Sequence, residues 1–273
     1  MHEVTANGAR IPAIGLGTWE LRGAQCADIV QAGLALGYRH VDTAQAYGNE
    51  REVGAAMRAS GVPRGDIFLT TKVWYDRLAP GELEASAEES LARLGTDYVD
   101  LLLIHWPNPA IPLADSLAAL ARVKQRGLAR HIGISNFTVA LIEEAVRLCP
   151  EPLVTNQVEY HPFLDASRVM AACRRHGLSL TAYCPLARGR VVGDPVIEEI
   201  AARHGKTAGQ VALRWLVQQS GVIAIPRTSS TARLAENLDV FDFSLTDAEM
   251  AAIAGLARPD GRVVQVSWAP DWD

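Results

Sequence analysis

The stretch Asp42-Thr43-Ala44-Gln45-Ala46-Tyr47-Gly48-Asn49-Glu50 places a carboxylate and a phenol just after a short apolar segment around Tyr38 and Val41. Two further titratable groups end apolar runs of their own. Lys72 closes Ile67-Phe68-Leu69-Thr70-Thr71-Lys72-Val73, and His105 closes Tyr98-Val99-Asp100-Leu101-Leu102-Leu103-Ile104-His105. A free tyrosine titrates near pH ~10 and is poorly matched to proton donation at neutral pH. An ammonium beside it favours the phenolate and lowers that value, and a carboxylate paired with the ammonium keeps the latter charged and aimed. An imidazole nearby can hydrogen-bond a carbonyl oxygen or share the proton. No Ser or Cys stands next to a base, and no His-x-His pair offers a metal site. The set suits protonation of an oxygen while something else attacks the carbon.

Taken singly, each residue has an ordinary account: Asp42 caps a loop, Tyr47 packs over it, Lys72 is a solvated strand end, His105 a satisfied core histidine. What joins them is the pattern of elements. Asn7-Gly8 between extended residues predicts a hairpin over Thr5–Ile11. Eight strand-like segments follow: Ala13–Leu16, the Tyr38–Val41 segment, Ile67–Val73, Tyr98–His105, His131–Ser135, Leu153–Val158, Leu178–Tyr183 and Val222–Ile225. Each is succeeded by a helical pattern: Cys26–Leu36, Glu50–Ala59, Pro80–Leu94, Leu113–Gln125, Val139–Leu148, Ala166–His176, the pair Pro195–His204 and Thr207–Val217, and Ala232–Asn237. Continuous apolar strands are covered on both faces, as in parallel sheets. Eight such units in this length imply an α/β fold, a (β/α)8 TIM barrel with the N-terminal β-hairpin closing the bottom. The whole chain, 1–273, reads as one domain. The carboxyl ends of barrel strands meet at one rim, so Asp42, Tyr47, Lys72 and His105 become neighbours there.

The bulk composition narrows the partners. Of 273 residues, 49% are hydrophobic and 21% charged, with a net charge of −5, which gives no basic face for nucleic acid. Cys26, Cys149, Cys173 and Cys184 form no CxxC pair and suit free thiols in a reducing compartment. No apolar run approaches the roughly 18 residues of a membrane span, and the N-terminus lacks the apolar core of a signal peptide. The expectation is a soluble, cytoplasmic monomer acting on a small molecule, without metal, nucleic acid or membrane.

Pro226-Arg227-Thr228-Ser229-Ser230, with Arg233 beyond, lies where a strand gives way to a helix N-terminus, a place suited to an anion. Gly15-Leu16-Gly17 lacks the third glycine of a Rossmann fingerprint, and Gly205-Lys206-Thr207 has Ile200 where a phosphate loop requires glycine. Trp19, Trp74 and Trp106 follow strand ends and, with Trp268, are candidate walls of a pocket for small carbonyl compounds.

Seven segments carry a resemblance that spans nearly the whole chain: Gly15–Trp19, Asp42–Glu50, Thr70–Lys72, Leu103–Pro107, Gly133–Phe137, Asn156–Pro162 and Ile225–Thr228. In these the sequence closely resembles the aldo-keto reductases. The compact length and the Ala269–Asp273 tail are similar to a bacterial branch that acts on α-dicarbonyls and keto-sugar acids. The resemblance implies NADPH as hydride donor and reduction of small aldehydes, α-dicarbonyls or keto-sugar acids to alcohols. It implies Tyr47 as general acid, Lys72 and Asp42 as its tuning pair, and His105 as orienter of the carbonyl. Ser135, Asn136 and Gln157 would hold the nicotinamide carboxamide and Tyr183 would stack on the ring. Arg227, Thr228 and Arg233 would take the 2′-phosphate, with Glu236 and Asn237 near the adenine. Thr18, Pro185, Leu186, Pro226 and Ser229 complete the implied cofactor contacts. Arg227-Thr228 replaces the Lys-Ser of many relatives and retains a fork for phosphate. Arg188 stands where a neutral residue is expected in the loop over the pyrophosphate, and favours retention of the dinucleotide. The competing expectation is a nicotinamide-binding regulatory subunit on the same fold, and a third is a metal-dependent barrel hydrolase.

Overall fold

Every residue of the fourth barrel strand, Val99–Ile104, is buried on both faces, and it lies between parallel neighbours. This is the arrangement that near-continuous apolar strands require. A computed structural model describes residues 2–273. The hairpin comes first, β1 (Glu3–Ala6) antiparallel to β2 (Ala9–Pro12). Its two-residue turn has both Asn7 (φ 42°) and Gly8 (φ 87°) in the left-handed region, as a tight hairpin demands.

Eight parallel strands follow in chain order: β3 (Leu16–Gly17), β4 (His40–Asp42), β5 (Phe68–Val73), β6 (Val99–Ile104), β7 (Ala129–Ser135), β8 (Leu153–Glu159), β9 (Ser179–Tyr183) and β10 (Val222–Ala224). The sheet closes on itself through bridges from Ile14 to Ala224 and from Gly17 to Arg227. The Gly15 amide donates to Ala224 O (2.9 Å) and the Gly17 amide to Pro226 O (3.0 Å). A side chain at Gly17 would put its Cβ 2.9 Å from Ile225 O, so the seam needs glycine there. The hairpin lies at the opposite end. Asn7 Nδ2 donates to Leu153 O, the first residue of β8, at 2.7 Å, and to His176 O at 3.0 Å.

The outer layer is α1 (Gly23–Leu36), α2 (Glu50–Ala59), α3 (Glu82–Leu94), α4 (Leu113–Gln125), α5 (Val139–Leu148), α6 (Ser167–Arg175), α7 (Pro195–His204), α8 (Ala208–Val217), α9 (Thr231–Leu238) and α10 (Asp247–Ala254). Helices α2, α4, α5 and α7 have the bounds read from the sequence. Three differences have physical causes. Gly81 (φ 84°) is the N-cap of α3, held by Glu84 accepting its amide at 2.7 Å, so Pro80 stays outside the helix. The first barrel strand is shifted to Leu16–Gly17 because the preceding residues pair with β10 instead of β4. Helix α10 lies beyond the repeating pattern and starts at a capping box formed by Thr246 and Glu249. Among the described residues, no helix is long and apolar enough to cross a membrane.

Candidate active site

Strands β4 and β5 deliver a buried ion pair to the rim. Lys72 Nζ donates to Asp42 Oδ1 (2.5 Å), Thr43 O (2.9 Å) and Tyr47 Oη (3.1 Å), so each ammonium hydrogen has an acceptor. Lys72 is fully buried. An ammonium there without these partners would cost several kcal/mol, on the order of the desolvation penalty of a single ion. The other carboxylate oxygen, Asp42 Oδ2, accepts from Gln157 Nε2 at 2.7 Å.

Tyr47 arrives on a 3-10 turn, Gln45–Tyr47, closed by Gly48 in the left-handed region (φ 65°). Buried Asn49 pins this loop: its Nδ2 donates to Thr18 O (2.8 Å) and Leu21 O (3.0 Å), and its Oδ1 accepts from Thr43 Oγ1 (2.8 Å). Arg22 Nη1 donates to the Tyr47 carbonyl at 2.7 Å. Sequence reasoning passed over Asn49 and Arg22, because nothing local announces that they reach across to the loop that carries the phenol. The ring of Tyr47 meets that of His105 edge-on, with centroids 5.7 Å apart, and that of Trp19 at 4.9 Å.

The electrostatics differ from expectation at one point. Burial pushes the Tyr47 phenol up; the Lys72 ammonium opposes this but does not win, so the hydroxyl stays protonated at neutral pH. Burial alone would lower Lys72, but Asp42 and Tyr47 together hold it above its ordinary value and charged. Burial, then the nearby Lys72 charge, hold His105 well below the usual imidazole range, and the ring is neutral. Its Nδ1 is buried without a hydrogen-bond partner among the described residues.

The four residues open on a cleft of about 1720 Å³. Where β7 ends, Ser135 Oγ donates to Gln157 O (2.8 Å), and Asn136 Nδ2 donates to His105 O (2.9 Å). Asn136, in the left-handed region (φ 64°), accepts from Tyr183 Oη at 2.8 Å, which fixes that ring at the end of β9. Thr18, Pro185, Leu186, Arg188, Pro226, Arg227 and Arg233 also line the cleft. Ser135, Thr228 and Asn237 are buried and Ser229 is exposed; Thr228 Oγ1 accepts from the Ser230 amide (3.0 Å), and Glu236 accepts from Thr207 Oγ1 at 2.6 Å. All four predicted tryptophans line it. Trp19 (46% exposed) and Trp268 (42%) stand at its mouth, whereas Trp106 is buried with its ring 6.2 Å from Trp272.

The family model described as "Aldo/keto reductase family" matches residues 13–258. The chain is an aldo/keto reductase. It is 42% identical over 266 residues to the methylglyoxal reductase DkgB of Escherichia coli O157:H7, covering 96% of this chain and 99% of that one. A crystal structure provisionally named 2,5-diketo-D-gluconic acid reductase B superposes with a TM-score of 0.98 at 55% identity, covering 100% of this chain and 98% of the other. The Bombyx mori aldo-keto reductase AKR2E4, solved with NADP, superposes at 0.90 with 34% identity, covering 97% and 95%.

The reductase is therefore an oxidoreductase that uses a nicotinamide cofactor on small carbonyl substrates. Its cleft suits a dinucleotide on its own terms. Helix α9 has Ser230 as its N-cap with no side-chain cap hydrogen bond, leaving first-turn amides open beside Arg227 and Arg233, and Arg188 and Arg190 line the same cleft. Arg188 holds a left-handed backbone (φ 54°) in a strap that starts at Cys184 (φ 49°). Sequence reasoning missed Arg190 and the whole Arg262–Val266 tail segment, which forms another wall. The tail is fastened by buried Glu159, whose carboxylate accepts from Val263 N (2.6 Å), Val264 N (2.9 Å) and His161 Nε2 (2.9 Å). The only local signal was a glutamate at the end of an otherwise apolar strand.

Proposed function

We propose that this enzyme reduces small aldehydes, α-dicarbonyls such as methylglyoxal, or keto-sugar acids such as 2,5-diketo-D-gluconate to alcohols with NADPH. The observation that carries the reading is the Tyr47 hydroxyl 3.1 Å from a lysine that is itself 2.5 Å from Asp42, at the floor of the cleft. Bound NADPH supplies hydride to the carbonyl carbon. Tyr47 gives its proton to the oxygen, and the Lys72 ammonium stabilises the phenolate left behind until solvent restores the proton. Asp42 keeps Lys72 charged and aimed. His105, neutral, donates a hydrogen bond to the same oxygen and orients it. Asn136 and Gln157 present amides to the carboxamide, and Tyr183 offers a flat face to the ring. The open α9 N-terminus with Arg227 and Arg233 favours the 2′-phosphate, and thus NADPH over NADH. The four unpaired cysteines suit the reducing cytoplasm.

The test is a steady-state panel of carbonyl compounds with NADPH and NADH, on wild type and Tyr47→Phe. The variant should lose roughly a hundredfold or more in kcat while binding NADPH as before. Undiminished turnover would remove Tyr47 as the acid. Tight NADPH binding by wild type without turnover of any carbonyl would favour a regulatory subunit.

A further inference from the structure

Arg262 lines the cleft, yet its guanidinium makes no hydrogen bond to any described residue. The Trp272 ring covers one face at 3.8 Å, and the nearest carboxylate oxygen, Glu159 Oε2, is 3.7 Å from Nη1, within ion-pair reach but too long for a hydrogen bond. Glu159 already accepts from the Val263 and Val264 amides and from His161. It therefore balances the charge of Arg262 without using its donors. Nη1 is shut in, while the side chain as a whole keeps 18% of its surface exposed.

The surroundings belong to the substrate side. Trp272 packs on Trp106, the residue after His105 (6.2 Å). Six residues beyond Arg262, Trp268 packs on Trp74 (6.0 Å), which meets the His105 ring at 5.1 Å. With Nη1 shut in, the Nε–Nη2 edge remains unused, and such an edge of a planar guanidinium stacked on an aromatic ring can take a carboxylate in two parallel hydrogen bonds.

The geometry points to Arg262 as the residue that recognises a carboxylate on the substrate, so that carbonyl compounds bearing a carboxylate are preferred over neutral ones. The inference rests on the reductase reading above and adds the substrate class. A purely structural Arg262, clamping the tail between Trp272 and Glu159, would affect acid and neutral substrates alike.

A matched pair isolates the charge: 4-carboxybenzaldehyde and its methyl ester, with NADPH in both cases. Wild type should reduce the acid with kcat/KM at least about tenfold above the ester, the difference lying in KM. Arg262→Met should abolish that ratio while leaving kcat/KM for the ester, and NADPH affinity by fluorescence titration, within about threefold. Arg262→Lys keeps a cation opposite Glu159 but loses the planar fork, and should lower the acid-to-ester ratio severalfold even if Arg262→Met unfolds. Equal losses on acid and ester, weakened NADPH binding, or a wild type indifferent to the charge would each overturn the assignment. If wild type reduces neither compound nor any other carbonyl while binding NADPH, the reductase reading itself fails and takes this one with it.

Discussion

Gln157 and Asp42, far apart along the chain, are joined by a buried hydrogen bond of 2.7 Å from Nε2 to Oδ2. The same carboxylate gives its other oxygen to Lys72, so strand β8 supports the ion pair that β4 and β5 present to Tyr47. Replacing Gln157 by Met keeps the shape and removes the donor. Stability in urea should fall by about 1.5–3 kcal/mol, the usual worth of a hydrogen bond to a buried charge. An unchanged midpoint would mean that Asp42 does not depend on this amide.

Lys72→Met alone leaves the Asp42 carboxylate buried without its cation, which should cost about 3–5 kcal/mol. Adding Asp42→Asn removes the stranded charge, and the double variant should regain most of that loss in urea unfolding. Turnover should return in neither. A double variant no more stable than Lys72→Met would show that the pair is not the source of the loss.

The histidines set a pH dependence of stability whose sign follows from burial. His105 is held well below the usual imidazole range by burial and Lys72, and His40 is lowered chiefly by burial. The native state excludes protons that the unfolded chain accepts near pH ~6.5. Their contribution is thus complete above that pH and declines as pH falls below it, by up to about 1.4 kcal/mol per histidine per pH unit. Urea midpoints between pH 8 and 5 should fall less steeply for His105→Gln than for wild type. Parallel slopes would contradict a neutral, buried His105.

Helix α2 offers a reversal of an ordinary rule. Gly→Ala inside a helix normally stabilises by about 1 kcal/mol. A Cβ on Gly54 would lie 1.9 Å from Leu94 O at the end of α3, and that backbone cannot yield cheaply. Gly54→Ala should destabilise by about 1–3 kcal/mol in thermal or urea melts. A gain in stability would mean that α2 and α3 can part, and with them the support of the Tyr47 loop.

Much of the scaffold was legible because local pattern and global fold agree. Helices such as Glu50–Ala59 and Val139–Leu148 show their periodicity directly, and Asn7-Gly8 announces its turn. Helix α10 was missed although Thr246 and Glu249 spell a capping box, because the repeat had by then run its course. Arg188, Arg227 and Arg233 line the cleft, but a helix N-terminus does not say which of Thr228, Ser229, Glu236 and Asn237 turn toward the opening.

Residue types and the order of strands determined that an aspartate, a phenol, a lysine and an imidazole would share one rim, because strands in a closed parallel barrel all end there. Tertiary structure alone decided how the protons are held. Burial outweighs the lysine and keeps Tyr47 protonated, Gln157 takes the free oxygen of Asp42, and Glu159 brings the tail with Arg262 and Trp268 over the cleft. Desolvation and contacts across more than a hundred residues of chain have no signature in any one segment, because each exists only where distant strands meet.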